Sequence, residues 1–310
     1  MVRRWGLTLW VLSAVLLFMV SMLTHPMLRA DVLSGSGIHP LLAWAPMLMG
    51  GVLTWILVRS FGDRDRLDRR LTQAMDGHPI RRELAWLILF LVCFVLAVAL
   101  LALFFRSYGA QMGAADLAMA ASLVARLLFL FTLPLLVMDR SGITVEGKGT
   151  AMPTIALKVS EPWRWLGLVP IALSLGLIGY LIIPYTGLPT LSFPLVGFLL
   201  AFIVIAVCEE IFYRGMVQSR MEILTGRWGG IVSTSVIFAL TYAVIQPYDA
   251  VAQLPGPDLV YHVGLALATY GVAGLFYGYL WTCFRNTWLQ VSMRVGVFLV
   301  LMPPDLQVGL

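Results

Sequence analysis

The run Glu209-Glu210-Ile211-Phe212-Tyr213-Arg214 sets two carboxylates and a guanidinium inside an apolar stretch of chain. An ionisable side chain within a membrane span costs roughly 2.5–3.5 kcal/mol on insertion scales, so each one is a site hypothesis by default. Glu210 and Arg214 are four residues apart with the acid first, the favourable order for a same-face ion pair on a helix. Glu209 is turned about 100° from Glu210 and faces something else. A buried carboxylate without a cation of its own is a candidate general base acting on water. With a cation aimed at it, from Arg126, Arg214 or Arg294, the same carboxylate simply ties helices together. Spacing alone leaves both readings open.

The elements that position these groups follow from composition. The chain has 310 residues, of which 60% are hydrophobic and 12% charged, whereas a soluble domain carries about 25% charged residues. Its mean hydropathy is +0.90. A water-soluble protein of this length cannot hide so much apolar surface. Soluble, secreted disulfide-framework and nucleic-acid-binding classes are thereby excluded, and an integral membrane protein is expected. The net charge of +5 comes from basic residues between apolar runs, where they act as topology signals and lipid-headgroup contacts. Cys93, Cys208 and Cys283 are widely spaced in or beside apolar segments, so they read as small packing residues rather than disulfide or metal partners.

An apolar stretch of about 20 residues crosses the hydrocarbon core. Candidates fall near 5–24, 40–58, 84–105, 116–138, 163–184, 193–213, 229–246, 259–282 and 287–302, the last short and weakest. The fold class expected is all-α, a polytopic transmembrane helix bundle of about eight to nine spans. With the N-terminus in the cytoplasm and alternating spans, 17 of the 21 basic residues fall on the cytoplasmic side. Only Arg29 and Arg106 fall opposite, and Arg126 and Arg294 lie inside spans. The positive-inside rule therefore puts the N-terminus in the cytoplasm. The first apolar run is too long for a signal peptide and reads as a retained anchor.

Residues 1–138 form a four-span N-terminal region, and 139–162 a cytoplasmic connector with room for a short hairpin. Residues 163–302 form the membrane core that carries the glutamates, and 303–310 a tail. The mixed-charge segment 59–83 reads as a solvated connector or a short helix on the membrane surface. Ser192 and Pro194 make a helix start, which sets Glu209 about 22 Å along the axis. Gly274 and Gly278 form a G-x-x-x-G suited to close helix packing. Trp86, Trp163, Trp165 and Trp228 sit near span ends as interfacial anchors.

The run from Glu209 to Gly215 resembles the E-E-x-x-x-R motif of the CPBP family, the CAAX proteases and bacteriocin-processing proteins that include type II CAAX prenyl endopeptidases. Residues 229–240 are similar to its second helix, which carries F-x-x-x-H, and 271–291 to the helix–turn–helix leading into its third motif. The resemblance covers about 160–302. It implies an intramembrane glutamate endopeptidase in which Glu209 and a second-motif His activate water while Glu210 and Arg214 brace the helix. A third-motif His, with an Asn one turn later, would polarise the scissile carbonyl.

This sequence departs from that pattern at the histidines. The register from Phe238 ends at Tyr242, and the third motif falls on Met293 or Arg294, with Val297 or Phe298 for the Asn. His25, His39 and His78 lie in or beside connections, and His262, near Asp258, begins the eighth span from the other side. Tyrosine, with an unperturbed pKa of about 10, does not take a proton from water near neutral pH. An arginine aimed at Glu209 would turn a catalytic base into a structural ion pair. The residues expected to carry the site are Glu209, Glu210, Arg214, Tyr242 and Arg294, with no cofactor and no metal.

The function expected is an endopeptidase by resemblance, with activity lost or reduced. The alternative is a non-catalytic binding, immunity or regulatory protein. A transporter lined by Arg126, Glu209, Glu210 and Arg294 ranks below both, because no paired repeats are evident. Expected partners are membrane lipids and a membrane-bound peptide or protein, not nucleic acid. The location expected is a bacterial-type plasma membrane, multi-pass.

Overall fold

The computed structural model describes residues 15–16, 18–33, 40–108, 122–140, 156–187, 193–249 and 259–301. Every regular element among them is helical. Six helices are long and apolar enough to cross a membrane: Ala43–Phe61, Ile80–Phe104, Pro162–Pro184, Leu195–Thr225, Arg227–Ile245 and Leu259–Phe284. Two shorter apolar helices, Ser122–Met138 and Thr287–Val300, complete the second to ninth expected segments in order. Of the first expected span, residues 15–16 and 18–24 are described, and they are helical. The last helix, Thr287–Leu301, has 15 residues and rises about 22 Å, short of a full hydrocarbon core. The hairpin expected within 139–162 falls mostly outside the described residues.

Apolar side chains from both halves of the chain interdigitate. One core cluster joins Phe94 and Leu130 to Phe212, Tyr213 and Phe238, all buried. A second joins Ile178 to Tyr277, Leu280, Phe284 and Met293. Burial at roughly 25 cal/mol per Å² thus ties the early spans directly to the glutamate-bearing helix. Small residues allow the closest approaches. A Cβ on Gly274 would stand 3.1 Å from Cβ of Ser235, and one on Gly278 would stand 3.0 Å from Oε1 of Gln218. The G-x-x-x-G is therefore a packing face within the bundle.

The helices are not uniform. Wider π-helical turns occupy Leu127–Thr132, Leu136–Arg140, Ile211–Gln218 and Leu267–Gly271. An i→i+5 turn inserts an extra residue and re-aims the side chains that follow, and such turns occur frequently at functional sites. The longest of them begins directly after Glu209 and Glu210.

One end of the bundle holds a network of charges. Arg220 donates from Nε to Glu83 at 2.7 Å, and His78 Nδ1 lies 2.7 Å from the same carboxylate. Arg285 reaches Glu222 at 2.5 Å and Asp68 at 3.5 Å. Glu161 pairs with Arg70 and, at 3.1 Å, with Arg164. These residues come from separate connections, and alternation of spans assigns all of them to one membrane face. Their gathering at one end agrees with that alternation.

Segment 59–83 contains the short helix that was one of its two expected forms, Arg64–Ala74, which buries Leu67 and Leu71, and it ends on the buried Glu83. Several arginines counted as topology signals, Arg164, Arg214, Arg220 and Arg285, are buried structural partners. Long guanidinium side chains reach inward from span ends wherever a carboxylate repays desolvation. Trp163 likewise packs against Phe284 rather than standing free at the interface.

Candidate functional site

Glu209 and Glu210 end the α-helix Phe193–Glu210, and both are buried. Three other elements converge on them. The helix Arg227–Asp249 brings Tyr242, the helix Thr287–Leu301 brings Arg294, and the helix Ser122–Met138 brings Arg126. Arg126 donates from Nε to Oε1 of Glu209 at 2.7 Å and also reaches Ser122. Tyr242 donates its hydroxyl proton to Oε2 of Glu209 at 2.6 Å. Arg294 donates from Nη2 to that same oxygen at 2.6 Å and to the Tyr242 hydroxyl oxygen at 2.8 Å. From Nη1 it donates to Oε1 of Glu210 at 3.1 Å. The other Glu210 oxygen lies 3.4 Å from Nε of Arg214, an ion pair without hydrogen-bond alignment.

All five sequence-predicted residues therefore meet in one cluster, and Arg126 joins them. The cations are further held by aromatic faces. Arg126 lies 5.4 Å from the Phe94 ring, and Arg214 and Arg294 lie 5.3 and 5.4 Å from the Phe238 ring. Tyr270 stacks on Tyr242 at 4.2 Å from the π turn Leu267–Gly271. A cavity of about 210 Å³ adjoins the cluster, with Phe202, Phe238, Tyr242, Tyr270, Tyr277 and Arg294 in its wall.

Chemically, each oxygen of Glu209 already accepts at least one charge-assisted or phenolic hydrogen bond. Tyr242 is committed as donor to Glu209 and acceptor from Arg294. Among the described residues that line the cavity, Arg294 is the one with a fixed charge.

Tyr242 and Arg294 both face Glu209, while Met293, the other candidate for the third-motif position, turns into the apolar core. Val297 and Phe298, the positions expected for the Asn, line the cavity. His262 lies half-buried in the first turn of Leu259–Ala266. It is eight residues before Tyr270, or about 12 Å along the helix.

Residues 191–297 match the family model of the type II CAAX prenyl endopeptidase Rce1-like proteins. The match spans roughly a third of the chain and contains Glu209, Glu210, Arg214, Tyr242 and Arg294. Arg126 lies outside it. No curated protein and no solved structure is a significant match. The resemblance read from the motif residues thus agrees with the family model that residues 191–297 match, and the long apolar helices are those of a multi-pass membrane protein.

Sequence reasoning missed the extension of the cluster. Residues 210, 214, 218 and 222 recur every four positions, a polar stripe whose second half went unread. Gln218 lies 3.5 Å from Arg214 and donates to Glu222 at 2.8 Å and to Thr282 at 3.0 Å. Glu222 in turn holds Arg285. A continuous polar ladder thus joins Glu209 to Asp68 at the surface connection. Periodicity alone was the signal that pointed to Gln218 and Glu222; Arg126 already stood with Arg214 and Arg294 as a cation for Glu209, being one of two basic residues inside spans.

Proposed function

We propose that this protein keeps the scaffold of an intramembrane glutamate endopeptidase but binds a membrane-proximal peptide or protein segment without cleaving it efficiently. One observation carries the reading: both Glu209 oxygens are occupied, by Arg126 on one side and by Tyr242 and Arg294 on the other. A general base must reach the water whose proton it takes, and Glu209 is not among the described residues that line the cavity. Tyr242 in place of an imidazole adds no base near neutral pH. The aromatic cavity beside the cluster suits an apolar side chain of a bound segment. A bacterial-type plasma membrane with a cytoplasmic N-terminus fits the distribution of basic residues.

The test is cleavage of a fluorogenic peptide library by the purified full chain in detergent or nanodiscs, beside a Glu209→Gln variant. The expected result is equal background for both. Turnover that disappears in Glu209→Gln would make the protein an active peptidase with Arg294 as the carbonyl-polarising group.

A further inference from the structure

Met47, Phe202, Ala273 and Val297 give the cavity beside the Glu209 cluster an apolar wall, and Arg294 gives it a fixed charge. A guanidinium carries five N–H donors. Arg294 spends three of them, on Glu209, the Tyr242 hydroxyl and Glu210. Its Nε–H and the second hydrogen of Nη1 have no partner among the described residues, and Nε is not sealed from accessible space as the Nε of Arg214 is. Neither carboxylate belongs to Arg294 alone, since Glu209 is shared with Arg126 and Glu210 with Arg214.

Tyr277 lines the same cavity and is only 4% exposed. Its hydroxyl has no hydrogen-bond partner among the described residues, yet unlike the Tyr213 hydroxyl it is not closed off. It stands within electrostatic reach of Arg294. A buried tyrosine hydroxyl ordinarily finds a partner. An unspent phenol and two unspent guanidinium N–H bonds on one cavity call for an acceptor that the chain itself does not supply.

Trp44 lines this cavity and also a second one of about 250 Å³, whose wall includes Phe18, Val232, Val236 and Leu275. The Trp44 indole N–H is spent on Ala268 O at 2.8 Å, and the Ser235 hydroxyl on Ile231 O at 2.7 Å. The second cavity therefore has no unspent side-chain donor among its described residues. Val15 and Leu275 in its wall are 52% and 39% exposed, which in a bilayer is exposure to lipid chains.

We propose that Arg294 and Tyr277 hold the carboxylate of a long-chain fatty acid, whose aliphatic tail runs past Trp44 into the second cavity. A carboxylate accepts charge-assisted hydrogen bonds from a guanidinium, and its single charge matches a single cation already shared with two acids. A peptide C-terminus would carry backbone amides into the second cavity, where nothing is left to bond them. This ligand differs in kind from the segment proposed above and does not depend on that reading. A bound fatty acid would compete with such a segment for the inner cavity.

The test is competition against radiolabelled palmitate on the full chain in phosphatidylcholine nanodiscs stripped of fatty acid. Methyl palmitate and hexadecanol keep the tail but lose the charge, and should compete at least about tenfold more weakly than palmitate. Arg294 stays intact, because it also holds Glu209 and Glu210. Tyr277→Phe removes only the hydroxyl and should weaken palmitate about fivefold. Val236→Trp fills the second cavity and should weaken palmitate while sparing octanoate. A palmitate bearing a diazirine at its last carbon should label peptides that contain Phe18, Val232 or Leu275. Equal competition by palmitate and methyl palmitate, palmitate affinity unchanged in Tyr277→Phe, or tail labelling confined to other faces of the bundle would overturn the proposal. So would tighter binding of hexadecyl phosphate, or displacement by an apolar peptide with a free C-terminus where palmitate fails. Whether the protein cleaves peptides alters none of these readouts.

Discussion

Arg294 Nη2 stands 2.6 Å from Oε2 of Glu209, across 85 positions of sequence, with both side chains buried. Removing one member of a buried pair strands the other charge, which typically costs about 3–5 kcal/mol. Glu209→Gln is therefore expected to lower stability by about 3 kcal/mol in chemical unfolding of the detergent-solubilised protein. Pairing it with Arg294→Met should cost less than the sum of the two single changes. Strict additivity of the two would show that the pair is not coupled.

The same relationship bears on the proposed loss of cleavage. Replacing Tyr242 and Arg294 together by histidine removes two donors from Glu209 and supplies imidazole at both positions. The double variant is expected to cleave peptides about 10²-fold above the wild-type background, the lower range for general acid–base assistance. Adding Glu209→Gln should return it to background. A double variant as silent as the wild type would locate the block elsewhere, for example at Arg126.

Packing gives a sharp contrast between two glycines. A Cβ at Gly230 would sit 2.8 Å from the backbone nitrogen of Glu222, where nothing flexible can yield. Gly230→Ala should destabilise the protein by about 1–3 kcal/mol through overpacking. Gly215, although buried in its π turn, has nothing within 4 Å of an added Cβ. Gly215→Ala should be neutral or stabilising by up to about 1 kcal/mol. Thermal unfolding of the two variants side by side reads the difference.

Glu161, just outside the span that begins at Pro162, offers a pH handle. Burial opposes its ionisation, yet hydrogen bonds from Arg164 and Arg70 outweigh this and hold its pKa down at about 2. A carboxyl depressed in the folded state stabilises at every pH above its unfolded value and loses that contribution as pH falls through the folded one. The melting-temperature gap between wild type and Glu161→Gln should stay constant above about pH 5 and close between about pH 4.5 and 2. A gap that widens on acidification would reverse the assigned sign.

Much of the architecture was legible without coordinates, because in lipid every backbone polar group must be satisfied within its own segment. Apolar length alone therefore located the helices from 40–58 to 287–302. Glu210 and Arg214 were legible as a pair because four-residue spacing is local. In segment 59–83 a short helix was one of two open readings, but its burial was not legible, because Leu67, Leu71 and Glu83 are drawn inward by partners far along the chain. Arg220 and Arg285 misled: a positive charge at a span end signals topology whether or not it is also buried against an acid.

By itself, then, the sequence determined a helical membrane bundle, the position of two glutamates within it, and the absence of any histidine after His262. Those are properties of composition and of spacing within one helix. The tertiary structure decided what Glu209 touches. Hydrogen bonds from Arg126, Tyr242 and Arg294 arrive from three other helices, and which buried cation meets which buried carboxylate depends on helix rotation and on π turns such as Ile211–Gln218. Periodicity along a single segment carries no record of that rotation, because it is set by how neighbouring helices pack.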